Sequence, residues 1–153
     1  MSEFKIELIK EGDHEVLKFH GQLDEDVDFE QGITISSNTV IFDFDKVIHI
    51  NSCGIREWIK FQNEIDSSKK LIYRNCPQII VEQMNIVKGF VRDGGQVESF
   101  YAPYYSEDKD EERKILLTPD QVVDGKAPEM KEGDEVLEFD DIEAQYFNFL
   151  KNI

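Results

Sequence analysis

The chain is 153 residues long with a formal net charge of −16, and 40% of its residues are apolar, including 11 Phe. That is the size of one ordinary domain, or of a small domain with an appendage, and it supplies enough apolar side chains for a packed core. The charge argues against a nucleic-acid partner, whose phosphates repel carboxylates, and against an anionic membrane surface. No apolar run approaches the ~20 residues of a spanning helix.

The opening segment, MSEFKIELIKEGDHEV, alternates polar and apolar residues and lacks the basic-then-apolar order of a signal peptide, so a cytoplasmic location is expected. Within it Phe4, Ile6 and Leu8 recur at every second position, as in a strand with one buried face. The turn EGDH leads into EVLKFHGQL, a second strand, and the two make a predicted hairpin. From Asp24 to Gly32 the chain is acidic and reads as a short helix or loop. NTVIFDFDKVIHI then places Val40, Phe42 and Phe44 on one face and Ile41 on the other, the pattern of a central strand covered on both sides.

Beyond the Asn51–Gly54 turn, GIREWIKFQNEI spaces Ile55, Trp58, Ile59 and Ile65 as an amphipathic helix, with Arg56, Glu57, Lys60 and Glu64 on its other face. KKLIYRNC is a further strand, Pro77 is placed to open a second helix, and Gly89 marks its end. QVESFYAPYY alternates again. Residues 1–101 therefore read as an α/β unit, a mixed sheet with helices packed on one side.

Composition shifts near residue 102: from there on the chain carries 15 acids and 6 bases, against 18 and 11 in the first 101 residues. ERKILL can form a strand, PDQVVDGKAPEMKEGDE is turn-rich, and FDDIEAQYFNFLKNI reads as a terminal helix with Ile142, Tyr146, Phe149 and Leu150 on its apolar stripe. Residues 102–153 are expected to form a small acidic α+β appendage. It is expected to pack on the first unit, because its aromatics need cover.

The order of these elements, together with VIFDFDKVIHINSCGI and the GQLD of residues 21–24, resembles the STAS domain, the fold of bacterial anti-sigma-factor antagonists. The resemblance runs from residue 4 to about residue 101. In that family an apolar strand ends in Asp-Ser-Ser/Thr-Gly, whose last hydroxyl a partner kinase phosphorylates. Here Asn51, Ser52, Cys53 and Gly54 hold those places, and Asp24 falls in the family's Gly-x-Leu-Asp. The resemblance implies a non-enzymatic interaction module in signalling or transcriptional regulation. Its partner would be an anti-sigma factor or a serine kinase, and a homodimer is compatible with it.

Two departures matter. Asn51 replaces the acidic residue, and Cys53 stands where the phosphate acceptor belongs, so the usual switch is expected to be absent. Ser52 is the hydroxyl left in the turn, displaced by one residue, and is carried as the phosphorylation candidate. The predicted binding surface is the turn Asn51, Ser52, Cys53 and Gly54, Asp24 beside it, and Arg56 and Lys60 on the following helix. A helix start also favours a thiolate, so a redox or nucleophilic role for Cys53 is an alternative, with His49 as the nearby candidate base. A third reading is a STAS subunit of a lipid-transport ATPase.

No cofactor and no metal are expected, since the two cysteines and three histidines show no ligand spacing. In the appendage, YYSEDKDEE and KAPEMKEGDE resemble the paired turns of a zinc ribbon without its cysteines. Ser106 with Lys109 and Ala127 with Met130 have the C-x2-C spacing, which implies at most a degenerate ribbon held by packing. The acids of residues 107–112 lack the alternation and central Gly of a calcium loop and read as a solvated face.

Overall fold

The computed structural model describes residues 3–151. Its fold is mixed α/β. Strands β1 (Lys5–Glu11) and β2 (His14–Leu23) form the predicted hairpin, antiparallel from Lys5 opposite His20 to Glu11 opposite His14. Gly12, at φ +63°, supplies the left-handed residue that this tight turn needs. Strand β3 (Thr39–Ile50) pairs parallel with β2, and helix α1 (Ser52–Glu64) carries the chain over to β4 (Lys70–Arg74). Helix α2 (Gln78–Ile86) leads on to the short β5 (Gln96–Val97). The order is β1-β2-β3-β4-β5, with β3 in the middle as its two apolar faces demand.

The core of this sheet is aromatic. Trp58 of α1 is fully buried, with its ring 4.9 Å from Phe42, 5.3 Å from Phe44 and 5.7 Å from Phe19. Its indole N–H donates to the carbonyl of Phe90 at 2.9 Å, so the polar edge is satisfied in the core. Gln62, one helical turn on, donates to the carbonyls of Gly89 and Phe90 at 3.1 and 3.2 Å and accepts the hydroxyl of buried Tyr73. Burial holds that hydroxyl protonated, well above its ordinary range.

Helix α1 has no basic residue in its last turn. The charge arrives from far along the chain: the guanidinium of Arg92 donates to the carbonyls of Gln62, Ile65, Asp66 and Lys69 at 2.5–3.1 Å. These carbonyls belong to the helix end and its following turn; those of Gln62 and Asp66 also accept the backbone amides of Ile65 and Lys69.

Residues 24–38 form a loop, not a helix, and it covers an edge. The side chain of Gln31 accepts from the amide of Ile6 at 3.0 Å and donates to the carbonyl of Phe4 at 3.2 Å, acting as a one-residue partner for the outer side of β1. Further along β1, Leu8 is exposed, so the predicted buried face ends at Ile6.

A second sheet follows, with β6 (Phe100–Ser106) between β7 (Glu111–Leu117) and β10 (Glu138–Phe139). Between them lie a 3-10 turn at Pro119–Gln121 and the small hairpin of β8 (Lys131–Glu132) and β9 (Glu135–Val136). The hairpin turns at 106–110 and 132–135 face each other. The turn that meets Ser106 and Lys109 is thus 132–135, whereas Ala127, whose amide donates to Glu143 at 2.7 Å, and Met130 pack against the core.

The terminal helix is shorter than its sequence pattern. Helix α3 (Glu143–Tyr146) makes one turn and gives way to a 3-10 turn at Phe147–Lys151, while Asn152 and Ile153 lie outside the described residues. The tighter winding shifts the apolar face: Ile142 is 59% exposed, and Phe147 joins Tyr146 and Phe149 inside. Phe149 and Phe147 pack on Phe100 at 5.1 and 6.1 Å, and the Tyr146 hydroxyl donates to the carbonyl of Tyr101 at 2.5 Å. Asn85 of α2 donates to the carbonyl of Tyr146 at 3.0 Å. Side chains from both sheets belong to one continuous buried cluster. In α2, too, the end falls early: Val87 caps it and Gly89, at φ +87°, comes two residues later.

Replacing Arg92 with Met keeps the apolar stem and removes all four carbonyl contacts; we expect a loss of about 2 kcal/mol in chemical denaturation. Glu15 gives a second test. Its carboxylate is buried, which alone would raise its pKa, but the amides of Ser37 and Ser36, the latter at 2.7 Å, outweigh burial and hold it below the ordinary value. A lowered folded-state value means stability that is complete above about pH 4.5 and fades as pH falls through the folded value. Glu15→Gln should therefore melt below wild type at neutral pH, with the two melting curves converging on acidification.

Candidate functional site

The turn between β3 and α1 is built around one amide side chain. Asn51 is the N-cap of α1: its Oδ1 accepts from the amide of Gly54 at 3.0 Å, and its Nδ2 donates to the carboxylate of Glu25 at 3.0 Å. Its own backbone amide donates to the carbonyl of Leu23 at 3.0 Å. An Asp would cap the helix equally well. It has no hydrogen to offer Glu25, however, and would set two carboxylates against each other. Asn at this position therefore belongs with an acidic turn at residues 24–26.

Gly54 is held by sterics. A Cβ there would lie 1.8 Å from the carbonyl oxygen of Leu23 and 2.9 Å from the amide nitrogen of Asp24, so helix and strand end touch backbone to backbone. The partner in that approach is the end of β2.

Asp24 is brought against the turn, while Arg56 and Lys60 lie further along α1. Asp24 sits against Gly54, accepts from the amide of Asp26 at 3.0 Å, and has its carboxylate within 4.8 Å of those of Glu25 and Asp26. It is Glu25, absent from the predicted set, that bonds to Asn51. The acidic stretch DEDVD was visible in the sequence, but which of its carboxylates meets the turn depends on the loop's path. The Glu25 carboxyl is held below its ordinary range, first by its own backbone amide and then by Asn51.

On α1, Ser52, Arg56 and Lys60 are exposed and follow one another at four-residue spacing, so they share one stripe. Within the described residues neither Arg56 nor Lys60 forms an ion pair. Cys53 is half-buried beside the stripe. The other cysteine, Cys76, is fully buried, and burial followed by the nearby Asp43 pushes its thiol well above the ordinary range. Beside Asp24 lies an open groove of about 760 Å³, whose lining includes the acids Glu3, Asp24, Asp26 and Asp28 together with Lys5 and Phe4. Its net charge is negative, in contrast to the Arg56 and Lys60 stripe on α1.

No helix among the described residues is long and apolar enough to cross a membrane. The chain matches no family model and no curated protein.

Gly54→Ala forces apart two backbone segments that cannot yield separately. We expect a loss of about 3 kcal/mol or more, read as a drop in the denaturation midpoint, while Ser52→Ala on the same turn should change it little.

Proposed function

We propose that this chain is a non-enzymatic protein-interaction module of the anti-sigma-factor-antagonist kind, which docks its partner at the entrance to α1. The observation that carries this reading is the turn itself. Asn51 ties it to Gly54 on one side and to Glu25 on the other, so its shape is set before any partner arrives. Preorganisation of this sort lowers the ordering cost of association. The mixed sheet, with its antiparallel first strand and helical crossovers to β4 and β5, supports the STAS-like part of the reading.

The chemistry of the partner follows from the surface. A complementary face offers carboxylates to Arg56 and Lys60 and a cationic side chain to the groove around Asp24 and Asp26. With Cys53 at the acceptor position, docking needs no dephosphorylation there, and the module is constitutively competent. An anti-sigma factor or a serine kinase of the same regulatory class is the proposed partner. The acidic residues of 102–153 steer a basic partner in from a distance and make association faster at low salt.

A second reading rests on the half-buried position of Cys53 at the first turn of α1, which leaves its thiol within reach of reagents. Alkylation of Cys53 much faster than that of a free thiol would favour this reading.

Affinity capture from the cell of origin tests the main proposal, with wild type, Cys53→Asp and the double variant Arg56→Glu/Lys60→Glu as baits and thermal melts as the check on folding. The expected result is a partner retained by wild type and lost from both variants. Retention of the same partners by both variants would overturn docking at this turn.

A further inference from the structure

Two turns face each other, one joining β6 to β7 and the other joining β8 to β9. Ser106 and Lys109 stand three residues apart in the first turn, and Glu132 and Glu135 stand three apart in the second. Each member of one pair bonds to a member of the other. The Ser106 hydroxyl donates to Glu135 at 2.7 Å, and the Lys109 ammonium donates to Glu132 at 2.7 Å. Ser106 is fully buried although it lies at a strand end.

The backbone of the first turn is wrapped around the same point. The amide of Lys109 donates to Oγ of Ser106 at 3.2 Å, and the amide of Asp108 donates to Glu135 at 3.1 Å. Left-handed residues close both turns, Asp110 at φ +51° and Gly133 at φ +64°. A turn whose amides aim at the side-chain atoms of its first residue and of the opposite turn is what a C-x2-C metal knuckle requires, because those amides neutralise thiolate charge.

We infer that Ser106, Lys109, Glu132 and Glu135 occupy the four ligand positions of a paired metal knuckle, and that hydrogen bonds and ion pairs there perform the cross-linking that a tetrahedral soft-metal ion would supply. Two cations, Lys109 and Arg113, meet three carboxylates, Glu111, Glu132 and Glu135, so the cluster carries its own counter-charges. Arg113 completes it by donating to Glu132 through Nε at 2.7 Å. The inference is independent of the docking proposal, since it concerns the opposite end of the chain and a different kind of contact.

The test is to restore the ligands. The full-length quadruple variant S106C/K109C/E132C/E135C is titrated with cobalt(II) and then zinc, with wild type and S106C/K109C as controls. The expected result is one cobalt per quadruple variant, the visible absorption of a tetrahedral tetrathiolate, displacement by zinc and a raised melting temperature. Neither control should show that absorption. Four thiols that stay fully reactive in the presence of zinc, or a tetrathiolate spectrum already given by S106C/K109C, would overturn the assignment. The native residues are read separately through S106A, E135Q and the double variant: melting-temperature shifts well short of additive are expected, and additive shifts would count against a closed cluster.

Discussion

The contact on which most of this architecture depends is the one between Gly54 and the end of β2. Helix α1 can begin where it does only because no side chain separates it from the carbonyl of Leu23. That approach sets the height of the helix over the sheet, and the height puts Trp58 among Phe19, Phe42 and Phe44. The same approach brings residues 24–26 beside the helix start, which is why Glu25 finds Asn51. Core and candidate site are thus two consequences of one steric constraint: the aromatic layer lies below it, and the charged turn lies at its rim.

A chain with a net charge of −16 works against its own compactness, and the structure shows where the repulsion is met. Arg74 lies between Glu11 and Glu98, with contacts of 3.1 and 2.7 Å, and links the first strand to the far edge of the sheet. Arg113 does the same between Glu111 and Glu132 in the second sheet. Arg92 is spent on carbonyls. On α1, Arg56 and Lys60 face outward and form no ion pair among the described residues, and this stripe of positive charge supports the docking reading.

Much of the fold was legible in local pattern. Strands β1 to β4 and both helices of the first sheet follow from period and turn chemistry, and the doubly apolar run at Val40–Phe44 located the central strand. The turn Asn51–Gly54 was legible too, as a polar break between a strand and an amphipathic helix. What escaped were contacts between residues distant in sequence. Gln31 covering Ile6, Arg92 capping α1 and Glu25 reaching Asn51 are each single polar side chains whose partner is chosen by the path of a loop, and no periodicity records that path. The terminal segment failed for another reason: Ile142, Tyr146, Phe149 and Leu150 fit a helical stripe, but packing on Phe100 and Phe139 is better served by one α-helical turn and a 3-10 turn, which buries Phe147 and frees Ile142. Which part of KAPEMKEGDE meets Ser106 and Lys109 was not legible either, since Glu132 and Glu135 have the same spacing as Ala127 and Met130, and the hairpin register brings the former pair there.

The central claim is that the entrance to α1 is where another protein sits. Site-specific photo-crosslinking in the cell of origin addresses it most directly, with the photoreactive group placed at position 56 and, for comparison, at position 88 beyond α2. The account predicts one discrete protein adduct from position 56 and none of that mass from position 88. Adducts that are the same from both positions, or an adduct confined to position 88, would contradict it.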